Sequence, residues 1–238
     1  MMEALTRALD TLAAEGKTAR FWLRDDDATE PTPALDRLLA LGLPVTLAVI
    51  PEPTGEALAA RLSGTQTEVA THGWAHANHA GLGEKKWELG LHRPLAVVLA
   101  ELAEGLAKLR ALHGPRALPL LVPPWNRIAP AVVAGLPGIG FQALSVYGPE
   151  NAGVPLRINA HVDIINWRGN RRTKDNAQLE ADILARLTTG HPVGILTHHL
   201  AHRRDAWAFL DRLARATDHP ACRWVSAADL MSPGLPGQ

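Results

Sequence analysis

Along almost the whole chain, a short apolar run with strand character is followed by an amphipathic helical segment. ARFWLRDDD (19–27) leads into PTPALDRLLALG (31–42), which has proline near its start and a glycine stop. PVTLAVIP (44–51) precedes TGEALAARLSG (54–64), TEVATHG (67–73) precedes RPLAVVLAELAEGLAKLRALHG (93–114), and LPLLVPPW (118–125) precedes APAVVAGLPG (129–138). After FQALSVYG (141–148) and HVDIINW (161–167) come the helix AQLEADILARLTTG (177–190), the strand VGILTHH (193–199), the helix DAWAFLDRLARATDH (205–219) and the strand CRWVS (222–226). Runs that stay apolar suit a parallel sheet covered on both faces. Repeated β-then-α units predict an α/β protein, a single domain over residues 1–238, and a closed or nearly closed (β/α) barrel rather than an open sheet.

Composition narrows the function classes. With 238 residues and 47% hydrophobic content the chain can bury one barrel-sized core. Lys+Arg and Asp+Glu are equal at 24 each, so no net field draws it to nucleic acid or to an anionic membrane, and a small or neutral molecule is the expected partner. The one cysteine, Cys222, excludes an internal disulfide and a CxxC zinc site, and beside Ala221, Trp224 and Val225 it reads as a buried thiol. The first 17 residues space Leu5, Leu9 and Leu12 as a helix, without the basic start and unbroken apolar core of a signal peptide. No apolar run approaches the roughly 20 residues of a spanning helix, and a cytoplasmic location is expected. GLPGIG (135–140) contains Pro137 and precedes a strand, so it reads as a helix-stop turn, not a phosphate loop.

Polar residues gather where strands end. Asp25, Asp26 and Asp27 close the first strand, His72 and His76 follow the third, Pro124 and Trp125 end another, and His198 and His199 end VGILTHH. In a parallel barrel these ends share one edge, and carboxylates and imidazoles grouped there are costly unless paired or bound to a metal. His72 and His76 are four apart, so a helical turn would project both from one face to grip an ion, with an Asp as third ligand. His79 is read as second to that group or at the surface. Strand alternation puts Phe21, Leu23, Asp25 and Asp27 on one face and Trp22, Arg24 and Asp26 on the other.

RDDDA (24–28), HGWAH (72–76), VPPW (122–125), DIINW (163–167) and LTH (196–198) occur in the order and approximate spacing of the five motifs of the polysaccharide deacetylases, the NodB-homology or carbohydrate esterase 4 superfamily. The chain resembles that family from Asp26 to His198. The resemblance implies a distorted (β/α) barrel of about seven parallel strands, and one divalent ion, zinc first with cobalt, manganese or nickel as alternatives. The implied reaction is hydrolysis of a C–N amide bond, most simply removal of an N-acetyl group from a small glycan or glycoconjugate.

Matched motif by motif, Asp27, His72 and His76 resemble the metal ligands and Asp26 the general base; the register with Asp25 as base and Asp26 as ligand stays open. Trp125 resembles the residue whose backbone N–H serves the oxyanion hole, beside Pro124, and His198 the general acid, with Leu196 and Trp167 as pocket walls. Three positions depart from the pattern. Gly73 stands where the family prefers Ser or Thr. Val122 replaces the arginine that orients the base, leaving Arg24 or Arg127 to supply that charge. Asn166 stands where many members have the Asp of an Asp-Trp pair, leaving Asp163 as partner for the acid. His199 and His202 read as structural.

The chemistry is coherent: an unactivated amide needs a polarised carbonyl, a deprotonated water and a protonated leaving amine. Trp74 and Trp87 read as core or as a sugar-stacking floor. WRGNRRTKD (167–175) reads as a solvated loop, or alternatively as a clamp for phosphate or carboxylate. Two rival functions are a non-catalytic metal-containing barrel that binds carbohydrate or protein, and an amidohydrolase for a non-sugar amide. The sequence does not specify an oligomeric state.

Overall fold

The computed structural model describes residues 2–150, 153 and 155–232. Helix α1 (Glu3–Ala14) precedes β1 (Ala19–Ala28); then come α2 (Pro33–Leu39), β2 (Val45–Val49), α3 (Glu56–Leu62), β3 (Glu68–Thr71), α4 (Leu95–His113), β4 (Ala117–Leu121), α5 (Pro130–Gly135) and β5 (Ala143–Leu144). The chain continues through β6 (Leu156–Arg157), β7 (Val162–Asp163), α6 (Asn176–Leu187), β8 (Val193–Thr197), α7 (Arg204–Thr217), β9 (Cys222–Trp224) and α8 (Ala227–Met231). The strands follow the order β6-β5-β4-β3-β2-β1-β8-β7, with β9 also on β1. The β1–β8, β1–β9, β2–β3, β3–β4, β4–β5, β5–β6 and β7–β8 ladders are parallel, as the apolar runs predict. Strands number nine rather than about seven among the described residues, because β5, β6 and β7 are two residues each and β9 is three.

The chain packs as two compact units: residues 1–25, 32–45 and 160–238 in the first, and 26–31 and 46–159 in the second. Strand β1 passes from one to the other between Asp25 and Asp26, so the aspartate triplet is divided.

In the first unit β8 runs beside β1 from Phe21↔Val193 to Asp25↔Thr197, and β9 lies on the start of β1. Helix α7 buries Ala206, Phe209, Leu210 and Leu213, the three-and-four spacing of one helix face. Its neighbours are capped as their sequences specify. Thr32 accepts from Leu35 N–H ahead of Pro33, Asp175 accepts from Ala177 and Gln178, and Ser226 and Asp229 form a capping box. Cys222 is half-buried, and burial pushes its thiol up to about 12, which leaves it protonated and inert.

In the second unit α4 buries Val98, Leu102 and Leu106 against Leu121, Phe141 and Leu144. A Cβ at Gly105 would lie 2.9 Å from Pro51 Cγ and 3.5 Å from Thr71 Cγ2. The missing side chain thus lets α4 press onto the last residue of β3, immediately before His72. At the end of α4, His113 is 3% exposed and neither ring nitrogen has a partner. Burial, reinforced by the Arg116 charge, lowers its pKa to about 4. A folded pKa below the unfolded value of about 6.5 means that the stability it confers is complete above that pH and is lost as pH falls toward about 4. Urea midpoints are therefore expected to decline between about pH 6.5 and pH 5, before most carboxylates titrate, and His113→Leu is expected to shrink that decline. An identical slope in the variant would assign the acid sensitivity elsewhere. Among the described residues no helix is long and apolar enough to cross a membrane.

Candidate functional site

Where β1 and β3 end, the second unit brings Asp27, His72 and His76 together, with one ligand atom from each within 4.8 Å of the others. Asp27 Oδ1 stands 3.1 Å from His72 Nε2 and 3.4 Å from His76 Nε2. Both separations fit two ligands each about 2.1 Å from a shared ion. His72 Nδ1–H donates to the Val122 carbonyl at 2.9 Å, which fixes the ring and aims Nε2 at Asp27. Burial would push His72 down, but its hydrogen bond to Asp27 and the charges of Asp26 and Asp27 hold it above its ordinary value. Burial and the His72 charge push His76 down. A group that favours one positive charge at Asp27, and leaves the second imidazole neutral, fits a divalent cation with mixed N/O ligands.

The segment from His72 to His79 is not the helical turn that the spacing suggested. It is irregular, with Gly73 at φ 63° and His76 at φ 54°, and these left-handed residues rather than a helical face aim the second imidazole. His79 stays outside the group; its N–H donates to the Trp87 carbonyl. Asp27 itself sits at φ 74°, so strand alternation stops one residue short of it. Asp25 is fully buried in the first unit, accepting from Thr197 Oγ1 at 2.6 Å and His199 N–H at 2.8 Å, with His199 Nδ1 on its other oxygen. Asp26, 2% exposed, is outside the metal-type group. This division favours Asp27 as ligand.

Trp125, at φ 55°, packs its ring at a tilt 4.4 Å from that of His76, and Pro124 is buried against Gly73. Arg24 is fully buried on β1. Arg127 donates to the Lys86 carbonyl at 2.7 Å and makes no hydrogen bond to Asp26, so the sequence-based role of orienting the base does not fall to it.

In the first unit, Asp163 accepts from Trp167 Nε1 at 3.0 Å and from Ile165 N–H at 2.9 Å, and the Trp167 ring packs edge-on to His198 at 4.6 Å. Asn166 was expected beside the acid; instead it is exposed, its amide lies against Gly169, and it makes no hydrogen bond to His198. Its carbonyl closes the turn by accepting from Gly169 and Arg171. Leu196, expected as a pocket wall, is fully buried on β8 and presents no surface to a ligand. His202 follows a short 3-10 turn ahead of α7, its Nε2 accepting from His198 N–H at 3.3 Å, and it packs on Trp207.

No protein-family model matches the sequence, and no curated protein matches it either. Solved structures do. A protein from Mycobacterium smegmatis assigned as a polysaccharide deacetylase superposes with a TM-score of 0.68 at 15% identity, covering 91% of this chain and 90% of that one. The fold is that of the polysaccharide deacetylases. A family 4 carbohydrate esterase from Streptomyces lividans, in complex with acetate, gives 0.59 at 16% identity over 86% and 90% of the two chains. A family 4 acetyl xylan esterase from Clostridium thermocellum, with a cobalt ion, gives 0.55 at 15% over 89% of each. The expected fold class, a distorted (β/α) barrel, is therefore correct.

Within this deacetylase fold, the departure at Gly73 has a structural counterpart that sequence reasoning missed. Glu88, 1% exposed, accepts from Ala75 N–H at 2.8 Å and Trp74 N–H at 3.2 Å through Oε1. A Cβ at position 73 would collide with Glu88 Oε2 and stand 2.6 Å from Pro124 Cγ. Glycine at 73 thus admits a carboxylate that holds the loop between the two histidines. The hint was the missing hydroxyl at 73; the compensating residue lies 15 positions on, in an irregular segment with no periodicity to mark it. Glu88→Ala is expected to weaken metal binding by about 10- to 100-fold, the usual cost of losing support behind a ligand. Glu88→Gln should keep most of the affinity, because the amide oxygen accepts the same N–H groups. Competition with a chromophoric chelator measures both, and equal affinities in all three proteins would show that the loop holds itself.

Proposed function

We propose that this chain is a metal-dependent deacetylase of carbohydrates, acting first on an N-acetyl amide of a small glycan or glycoconjugate. The observation that carries the reading is the convergence of Asp27, His72 and His76 at the strand ends of a deacetylase fold. A divalent ion held there, zinc or alternatively cobalt, manganese or nickel, supplies a Lewis acid that polarises the acetyl carbonyl and eases deprotonation of water. Asp26 takes the proton from the attacking water. The backbone N–H of Trp125, aimed by the left-handed turn after β4, donates to the oxygen that gains charge. His198 delivers a proton to the departing amine, with its ring kept in place by Trp167, which Asp163 anchors. Asn166 has no part in this scheme.

An ester makes fewer demands than an amide, because an alkoxide leaves more readily than an amide anion, so O-acetyl sugars belong in the same test. Protein loaded in turn with zinc, cobalt, manganese or nickel is incubated with N-acetylchitooligosaccharides and with acetylated xylan, and acetate release is measured. Release that stops on chelation and returns with the metal supports the reading. No release from either substrate with any of the four metals overturns it and favours a non-catalytic barrel.

A further inference from the structure

In the second unit, a cavity of about 520 Å³ is lined by Trp87, Asn126, Arg127, Val146 and Arg157 among others. Its walls arise from successive strand ends. Asn126 and Arg127 directly follow Trp125, whose ring lies on His76; Val146 is two residues past β5, and Arg157 ends β6. The pocket thus continues the same carboxyl edge away from His76, where a neighbouring residue of a bound glycan would run. Two arginines line it, and among the described residues no carboxylate does. Arg127 spends one N–H on the Lys86 carbonyl, which fixes the group and leaves further donors for a ligand. Arg157 is half-buried, forms no ion pair among the described residues, and is pushed below its ordinary pKa by burial. Trp87 adds an apolar wall of the kind that packs against a sugar ring. Positive charge is concentrated here in a chain whose net charge is zero.

We propose that this pocket is a subsite for an anionic substituent, a carboxylate or a phosphate, on the sugar adjoining the one that loses its acetyl group. The inference rests on the deacetylase reading for its substrate class, but its test is equilibrium binding and does not depend on turnover. Calorimetry with the metal-loaded full chain compares two disaccharides of equal length: N,N′-diacetylchitobiose, which is neutral, and N-acetylglucosaminyl-N-acetylmuramic acid, which differs by a lactyl carboxylate. N-acetylglucosamine and its 6-phosphate form the second pair and distinguish carboxylate from phosphate.

Within at least one pair the anionic sugar is expected to bind about tenfold tighter or more, the value of a hydrogen bond to a charged group. Arg157→Gln should bring that ratio down to about one to three, and Arg157→Lys, which restores charge without the planar fork, should recover part of it. Equal affinities within both pairs in the wild type, a preference that survives Arg157→Gln, or no binding of any of the four sugars would overturn the subsite. Acetate release from the same sugars is read in parallel. A preference for the anion without any acetate release refutes the deacetylase reading alone, and release without preference refutes the subsite alone.

Discussion

Asp26→Asn is expected to abolish acetate release while the bound ion stays in place. Asp26 is 2% exposed and lies outside the Asp27, His72 and His76 group, so the amide keeps its shape and costs no metal ligand. On the role proposed for Asp26, what it removes is the proton acceptor for water. General-base catalysis is worth about 10²- to 10⁴-fold, and the loss should fall on kcat with little change in KM. Asp27→Asn should lose ion and activity together, because its Oδ1 faces both imidazoles. Elemental analysis and kinetics on the two variants separate the roles. If the ion leaves with Asp26 and stays with Asp27, the register moves back by one residue; Asp25, tied to Thr197 and His199, would then have to leave that hydrogen-bonded setting to serve as base.

The same triplet marks how far sequence reasoning reaches. The parallel sheet was legible because burial on both faces writes continuous apolar runs, and the site's address was legible because parallel strands collect their ends on one edge. Residue types in HGWAH sufficed to nominate His72 and His76. What joins them was not legible, since it depends on non-glycine residues in left-handed conformations, Asp27, His76 and Trp125. Nothing in local pattern predicts such residues, because the surrounding contacts impose them. Strand alternation failed at Asp27 for that reason, although the aspartate that the motif match nominated lies beside the histidines. Asn166 was assigned to the acid histidine by motif position, but its amide packs on the Gly169 turn. Asp163 is better described through Trp167, the ring it anchors, than by its distance from His198 in sequence.

The second large effect concerns the ion. Protein purified without added metal is expected to carry close to one equivalent of zinc or a similar divalent ion, and His72→Ala should carry almost none. His72 is the more demanding ligand to lose: it is 2% exposed, its Nδ1 is committed to the Val122 carbonyl, and its removal leaves Asp27 beside an apolar gap. His76 is more exposed, and its replacement should weaken binding while leaving a residual two-ligand site. Binding should also respond to pH in a definite direction. In the free protein His72 holds its proton more firmly than an ordinary histidine, so an incoming cation must displace that proton and affinity should fall as pH is lowered through the range where His72 is protonated. A ligand that binds only the folded chain raises the unfolding temperature, so added zinc or cobalt should stabilise the wild type, stabilise His76→Ala less, and leave His72→Ala unchanged. A protein lacking both imidazoles that still retained its ion and its metal-dependent stabilisation would place the metal elsewhere. The same outcome would remove an ion at Asp27, His72 and His76 from the mechanism.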